Sequence, residues 1–372
     1  MKIAFYLNLQ GAGHCRRFEA IARHLPKSCQ LAVVGMNGPP KITPLNRPVE
    51  CISVPGYGPP PTNPFLQQQT AHDYHDFLVN QGGNSAFTVA MVSFLSQWQP
   101  DLLVSDVGLE ASILGRMCGI PVVYARQHGR RWDKGHQLAY EWACSLWAPF
   151  SAEMEQADCP KWIKEKTFYS GGFCRFSARS PAVSPPNSYI PDKPNVLVMT
   201  GFGGTAITPQ KLSTAAATMS QWRWHLLGKN VLGKNVLGKN ISGKSILDKN
   251  VAAEGVTCHG VVEDVWPYLC HADFVVANAG HNSVMETIAA GAPAVFIPAE
   301  RPFDEQICKV EVLRSLGVGV ISQRWPELSE WNELWRRSHA QDRSGWKHFQ
   351  DADAPRRAAD YILAIARKCM EP

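Results

Sequence analysis

The sequence predicts an α/β protein made of two doubly wound parallel sheets, and three observations carry that expectation. Short apolar runs alternate with helical patterns through the first half, a proline-rich break follows at 176–194, and the same alternation restarts beyond it. The 372 residues suffice for two domains of ordinary size. Hydrophobic residues at 45% and charged residues at 19% are those of a globular chain, which excludes disordered, collagenous and coiled-coil classes.

In order along the chain, Lys2–Leu7 reads as a buried strand, followed by the turn Gly11-Ala12-Gly13-His14 and a helix over Arg16–Leu25. Gln30–Val34 is the second strand, and 36–64, rich in proline and glycine, reads as loop or short edge pieces. A helical pattern over 85–98 precedes the strand 101–106, which ends in a carboxylate; a helix over 109–118 and a strand over Pro121–Tyr124 follow. The stretch 176–194 holds five prolines and marks the domain boundary. The second half repeats the order: strand Asn195–Thr200, glycine turn 201–205, helix 209–221, then strands Trp224–Leu227, Val256–His259, Phe274–Ala277 and Ala294–Ile297. An amphipathic helix over about 355–368 closes the chain behind Asp353-Ala354-Pro355, an N-cap signature. The expected division is therefore 1–175, a linker at 176–194, 195–350, and a final segment 351–372.

Charge and cysteine usage narrow the function classes. The net charge is +5, but 228–250 holds five lysines against one aspartate, a net +4 that leaves +1 for the rest. Nucleic-acid binding is not expected from so local an excess. That segment repeats with period five (GKNVL GKNVL GKNIS GKSIL DKN) and reads as an expanded surface loop, too few repeats for a stacked coil. The eleven cysteines are odd in number and contain no C-x-x-C pair, as expected of reduced thiols and neither a disulfide framework nor a zinc site. No apolar run approaches the roughly 18 residues of a membrane span. Met1–Asn8 is too short in its apolar part to be a signal-peptide core, so the expected location is the cytoplasm.

Three turns join a strand to a helix where backbone N–H groups and a helix N-terminus can receive a phosphate: Gly11/Gly13, Gly201/Gly203/Gly204, and Asn278–Glu286. In the third, Glu286 lies one turn into the helix, and Ser283 with Glu286 spells Ser-x-x-Glu, which spacing alone favours as a capping box. His14 opens a helix and Asp106 ends a strand. Together they would make a general base oriented by a carboxylate, and apart each is as readily structural. Asp304, Glu305 and Gln306 offer groups suited to sugar hydroxyls, and Asp351-Ala352-Asp353 reads as a helix cap in preference to a metal-binding D-x-D. Arg126–Trp132 is basic and aromatic, suited to an anionic ligand, to closing over a diphosphate, or to a solvated loop. Trp142, Trp147 and Trp162 suit an apolar acceptor pocket or a packed core.

Asn278–Glu286, Gly291-Ala292-Pro293, Ile297-Pro298 and Phe303–Gln306 together resemble the donor-binding signature of GT-B glycosyltransferases, most of all family 28 and the UDP-glycosyltransferases of family 1. Gly11-Ala12-Gly13-His14 resembles the first glycine loop, and Asp106 stands where family 1 carries the aspartate behind its catalytic histidine. The resemblance implies two Rossmann-like domains facing a cleft, with the last helix crossing back to the first domain. It also implies an inverting, metal-independent hexosyltransferase using a nucleoside-diphosphate sugar, UDP-linked, with no cofactor. His14 and Asp106 become the catalytic pair. Gly13, Gly203, Gly204, Thr205, Val262, Gly280, His281, Asn282, Ser283, Glu286, Asp304, Glu305 and Gln306 become the donor site, and Arg126 and His128 candidate acceptor ligands. Partners would be the donor, an unidentified acceptor, and a membrane surface if that acceptor is lipid-linked. This sequence departs from the pattern at His281, where the plant-type signature has tryptophan, and at Asn278, where it has histidine. The start Gly11–Arg17 also resembles the G-x-G-H-x-x-R of a nucleotide-sugar hydrolase on the same fold, which is the rival activity. A non-catalytic nucleotide-sugar-binding subunit is the rival from another class.

Overall fold

The computed structural model describes residues 1–8, 13–58, 63, 82–201, 205, 207–228 and 255–371. They form two compact units, Met1–Arg175 with Asp351–Pro372, and Phe176–Gln350. The repeat segment, apart from Gly228, together with Gly11, Ala12, Gly203 and Gly204, lies outside the described residues.

In the first unit the chain runs β1 (Lys2–Leu7), α1 (Gly13–Ala22), β2 (Gln30–Met36), β3 (Glu50–Val54), α2 (Gly83–Trp98), β4 (Leu102–Asp106), α3 (Leu109–Met117), β5 (Val122–Ala125), α4 (Lys134–Trp142), β6 (Ser145–Ala148), α5 (Lys161–Lys166) and β7 (Thr167–Tyr169). The seven strands pair in parallel in the order β3-β2-β1-β4-β5-β6-β7. Strands such as β4, buried on every residue, read as continuous apolar runs because helices cover both faces. One face packs Phe5, Val33, Val104 and Val123 against Phe18 and Ile21 of α1. The other packs Tyr6, Val34 and Leu103 against Phe87, Met91 and Leu95 of α2.

The C-terminal helix, Ala354–Met370, belongs to this unit although it is last in sequence. Ala358, Ala359, Ile362, Leu363 and Ala366 enter the same core as Phe18 and Ile21. Tyr361 stacks on Phe168 at 3.9 Å and hydrogen-bonds Ser145, and Arg357 donates to the Ser170 carbonyl at 2.7 Å. Asp353 stands at the N-cap position, but its carboxylate takes Arg356 and does not cap the backbone. The Asp351 carboxylate likewise pairs with Arg357, at 2.6 Å, so both carboxylates of this D-x-D are held by arginines at the helix start.

The second unit runs β8 (Asn195–Thr200), α6 (Pro209–Thr218), β9 (Arg223–Gly228), β10 (Val256–Gly260), α7 (Trp266–Cys270), β11 (Phe274–Asn278), α8 (His281–Ala290), β12 (Ala294–Ile297), α9 (Glu305–Ser315), β13 (Val320–Ile321) and α10 (Trp331–Ala340). Its parallel order is β10-β9-β8-β11-β12-β13. Val196, Val198, Trp224, Phe274, Val276 and Trp331 centre its core. Sequence patterning finds the buried central strands. It misses β6, β7 and β13, which at two to four residues are too short to show a period. β3 is a five-residue edge strand inside the proline-rich stretch 36–64, expected as loop or short edge pieces. Among the described residues no helix is long and apolar enough to cross a membrane.

Candidate active site

In each sheet the strand order reverses direction at one point, β1/β4 in the first and β8/β11 in the second. Loops at the carboxyl ends of strands flanking such a point diverge and leave a crevice. In the first unit His14 follows β1, and Asp106 is the last residue of β4, paired with Leu7. His14 Nδ1 stands 3.0 Å from Asp106 Oδ2, off the ring N–H line, with the histidine side chain 15% exposed and the aspartate 3%. The fold therefore brings together two residues that spacing offers separately and the family resemblance pairs.

A third residue completes the group. Arg17, one helical turn beyond His14, places Nη1 2.7 Å from Asp106 Oδ1. The carboxylate is thus shared, one oxygen to each partner. Burial raises the Asp106 pKa, but Arg17 and then His14 outweigh it and hold the group below its ordinary value. The sequence names Arg17 only as the last residue of the hydrolase-like G-x-G-H-x-x-R and gives it no role of its own. Its signal was the i,i+3 spacing to His14 on a face that also carries Phe18 and Ile21, where an unpaired arginine has no reason to be buried. Immediately after Asp106, Val107 has φ 63, a left-handed conformation costly for a β-branched residue and characteristic of constrained turns at functional sites.

In the second unit, β11 and β12 end side by side with Asn278 opposite Ile297. Asn278 Nδ2 donates to the Ile297 carbonyl at 3.0 Å, tying the two strand ends, while its buried Oδ1 has no hydrogen-bond partner among the described residues. Gly280 is the N-cap of α8 in extended conformation, with no side chain capping it. Gly280, His281, Asn282 and Ser283 are all partly exposed, so the first turn of α8 offers its N–H groups and the positive end of its dipole to a ligand. The capping box expected from Ser283 and Glu286 is not formed. Ser283 is inside the helix, where its carbonyl accepts from Thr287 Oγ1 at 2.7 Å, and Glu286 is buried.

Gln306, in α9, is also buried. Its Oε1 accepts from the Ala299 N–H at 2.8 Å, and its Nε2 lies 3.7 Å from where a Cβ on Gly280 would stand. Glu305 starts α9, and Phe303 and Asp304 before it have φ 59 and 55, so this turn is held in an unfavourable backbone conformation. Gly280, Asn282, Ser283 and Gln306 are thus brought to one end of one sheet. Thr205 accepts from the Ile207 N–H at 3.1 Å, and Val262 follows β10 in a partly exposed loop.

The basic segment after β5 is where structure and expectation part. It is not a solvated loop. Arg126 is 2% exposed, donates to Glu155 at 2.8 Å, Thr167 at 2.8 Å and Cys159 at 3.1 Å, and Tyr169 holds the same Glu155 at 2.7 Å. His128 is buried against Phe150 with Nε2 2.7 Å from the Met154 carbonyl. Both are held by these partners within the first unit. Of the three tryptophans, Trp147 is core and donates to Ser170 at 2.9 Å, while Trp142 and Trp162 are over a third exposed.

Two parallel α/β units, each with a residue cluster at its switch point, and a C-terminal helix returned to the first unit define the GT-B architecture. Residues 235–324 match the model of the glycosyltransferase family 28 C-terminal domain. The chain has the GT-B fold of the solved structures it resembles, and part of its second unit is similar to the family 28 C-terminal domain. It is 32% identical over 72 residues to the UDP-N-acetylglucosamine–N-acetylmuramyl-(pentapeptide) pyrophosphoryl-undecaprenol N-acetylglucosamine transferase of Anaplasma marginale, a match that spans 19% of this chain and 20% of that one. Among solved structures it is similar to the glycosyltransferase of kitacinnamycin, with 14% identity, 98% of both chains covered and a TM-score of 0.67. MurG of Acinetobacter baumannii aligns at 16% identity over 98% of this chain and 100% of its own, with a TM-score of 0.58.

Proposed function

We propose that this protein transfers a sugar from a UDP-sugar to an acceptor hydroxyl with inversion at the anomeric carbon, without a metal ion. The observation that carries the reading is the His14–Asp106 contact at the switch point of the first sheet. With Asp106 ionised, the imidazole keeps its proton on Nδ1, and Nε2 is free to take the acceptor proton as the hydroxyl attacks. The donor binds the second unit. Its diphosphate lies at the N-terminus of α8 over Gly280–Ser283, where N–H groups and the helix dipole stabilise the charge that grows as the leaving group departs. Glu286 takes the ribose, and Glu305 with Gln306 takes the sugar. UDP is the choice because the Anaplasma relative is named for a UDP-sugar and its match, like that of the family 28 domain, falls on part of this chain. Attack by one acceptor on the face opposite the leaving diphosphate inverts the centre in a single displacement.

His14→Ala is expected to abolish transfer and leave donor affinity within about twofold, measured by product formation and calorimetric titration. Unchanged turnover removes His14 from the base role. Activity is expected to persist in chelator. A second reading has the Gly13-His14-Cys15-Arg16-Arg17 segment in its favour: water replaces the acceptor and the protein hydrolyses the donor. Steady multiple-turnover release of free sugar with no acceptor present would establish that reading.

A further inference from the structure

We propose that Arg17 is a positioning residue for this reaction: its guanidinium grips Oδ1 of Asp106, turning Oδ2 toward Nδ1 of His14 and keeping the carboxylate charged while the imidazole is neutral. The inference rests on His14 being the base.

Helical geometry puts His14 and Arg17 on one face of α1, and the β1/β4 pairing presents Asp106 to that face. The Arg17 and Asp106 side chains are 5% and 3% exposed, so neither has water as an alternative partner. The consequence concerns which nitrogen of His14 carries the proton. A buried carboxyl with only a neutral histidine beside it tends to take a proton. It would then donate to Nδ1, the imidazole would carry its own proton on Nε2, and that nitrogen could accept nothing from an acceptor hydroxyl. Arg17 prevents this by balancing the carboxylate charge. Asp106 stays an acceptor, His14 stays protonated on Nδ1, and Nε2 keeps its lone pair.

The other titratable groups near Asp106 do not share this task. Cys15 on α1 and Tyr124 on β5 both feel its charge, and burial pushes the thiol and the phenol up, so both are neutral. Glu19 on α1 is held by Arg16 at 2.9 Å, and Glu110, in the first turn of α3, acts on Tyr124. The ion-pair partners of the carboxylate, among the described residues, are Arg17 and, when its ring is protonated, His14.

The test uses the full-length chain. Arg17→Gln is expected to lower kcat about 10²-fold with KM for the donor little changed, since the loss is one of orientation at the reacting group. The acid limb of the kcat/KM profile should move to higher pH, because removing a nearby cation raises the pKa of the His14–Asp106 pair. Arg17→Lys should keep the limb near its wild-type position. The His14 imidazole, assigned in NMR spectra by comparison with His14→Ala, should titrate at higher pH in Arg17→Gln. A second pair of variants guards against misfolding of that protein. In Asp106→Asn, His14 should titrate below wild type. In Arg17→Gln/Asp106→Asn, which leaves no buried charge unpaired, it should rise again. A His14 titration and an acid limb unmoved by loss of Arg17, in either background, overturn the proposal. If His14→Ala retains turnover, the base assignment has failed and the proposal falls with it, a result separable from an unmoved titration.

Discussion

Asp106 joins two residues that the chain places in one helical turn, one oxygen 2.7 Å from Arg17 and the other 3.0 Å from His14. Removing one member of a buried ion pair leaves the other uncompensated, at a cost of roughly 3–5 kcal/mol. Asp106→Asn is therefore expected to lower both thermal stability and turnover, the latter by 10² or more, measured by calorimetry and product formation. Because its folded pKa is depressed, Asp106 contributes stability that is intact above about 3.9 and is lost as pH falls through the lower folded value. Gln306→Ala should weaken donor binding about tenfold and leave the Ala299 N–H unpaired, costing about 1–3 kcal/mol. His14 and Asp106 were legible in the sequence as types at the right ends of elements, but their contact depends on pairing across 92 residues of chain. Arg17 was legible as the end of a motif but its pairing was not, because its partner, 89 residues away, is what makes it more than a surface cation. Arg126 shows the same dependence: a basic residue after a strand has no visible partner until Glu155, 29 residues on, is brought against it.

At the scale of elements, α8 is started by Gly280 and not by a side chain, which leaves its first turn open to a ligand. Gly280 has φ −66, and a Cβ there makes ordinary contact, so Gly280→Ala should cost no more than about 1 kcal/mol while raising the donor KM about tenfold. A matched loss of folding and binding would instead make the glycine structural. Gly228 differs. At φ 116 a Cβ would lie 2.0 Å from the Thr200 carbonyl oxygen, so Gly228→Ala should disrupt the β8–β9 edge and lower Tm. The same sheet carries a pH dependence of its own. His225 Nε2 donates to Asn195 at 3.1 Å and its Nδ1 faces His259 at 3.1 Å; burial, then His259, push its pKa down to about 3. The folded unit therefore holds the neutral ring, and stability present above about 6.5 declines as pH falls from there toward 3. Melts at pH 7 and pH 5 should show this decline, and His225→Gln should lessen it. The Ser283–Glu286 pair shows how an element can mislead: its spacing fits a cap at Ser283, but the N-cap is Gly280, three residues earlier.

At the scale of the molecule, the alternation of strands and helices was legible because central parallel strands are buried on both faces and read as apolar runs. The placement of the last helix came only from the family resemblance, since an amphipathic stripe says that a helix packs and not where. Its return to the first unit has a measurable consequence. Burial of Ile362 and Leu363 is worth roughly 3–6 kcal/mol, against a domain stability of roughly 5–15 kcal/mol. Deleting 354–370 is expected to abolish the calorimetric transition of the first unit and retain that of the second. The central claim, that His14 backed by Asp106 is the base of a sugar transfer, is tested most directly by one comparison. Wild type and His14→Ala are incubated with a panel of UDP-sugars and cell extract as acceptor source, and UDP release and glycosylated product are followed by mass spectrometry. The account expects wild type to release UDP in step with a glycosylated product, and His14→Ala to bind the same donor while releasing UDP at least about 10²-fold more slowly. Equal release by the two proteins would contradict it.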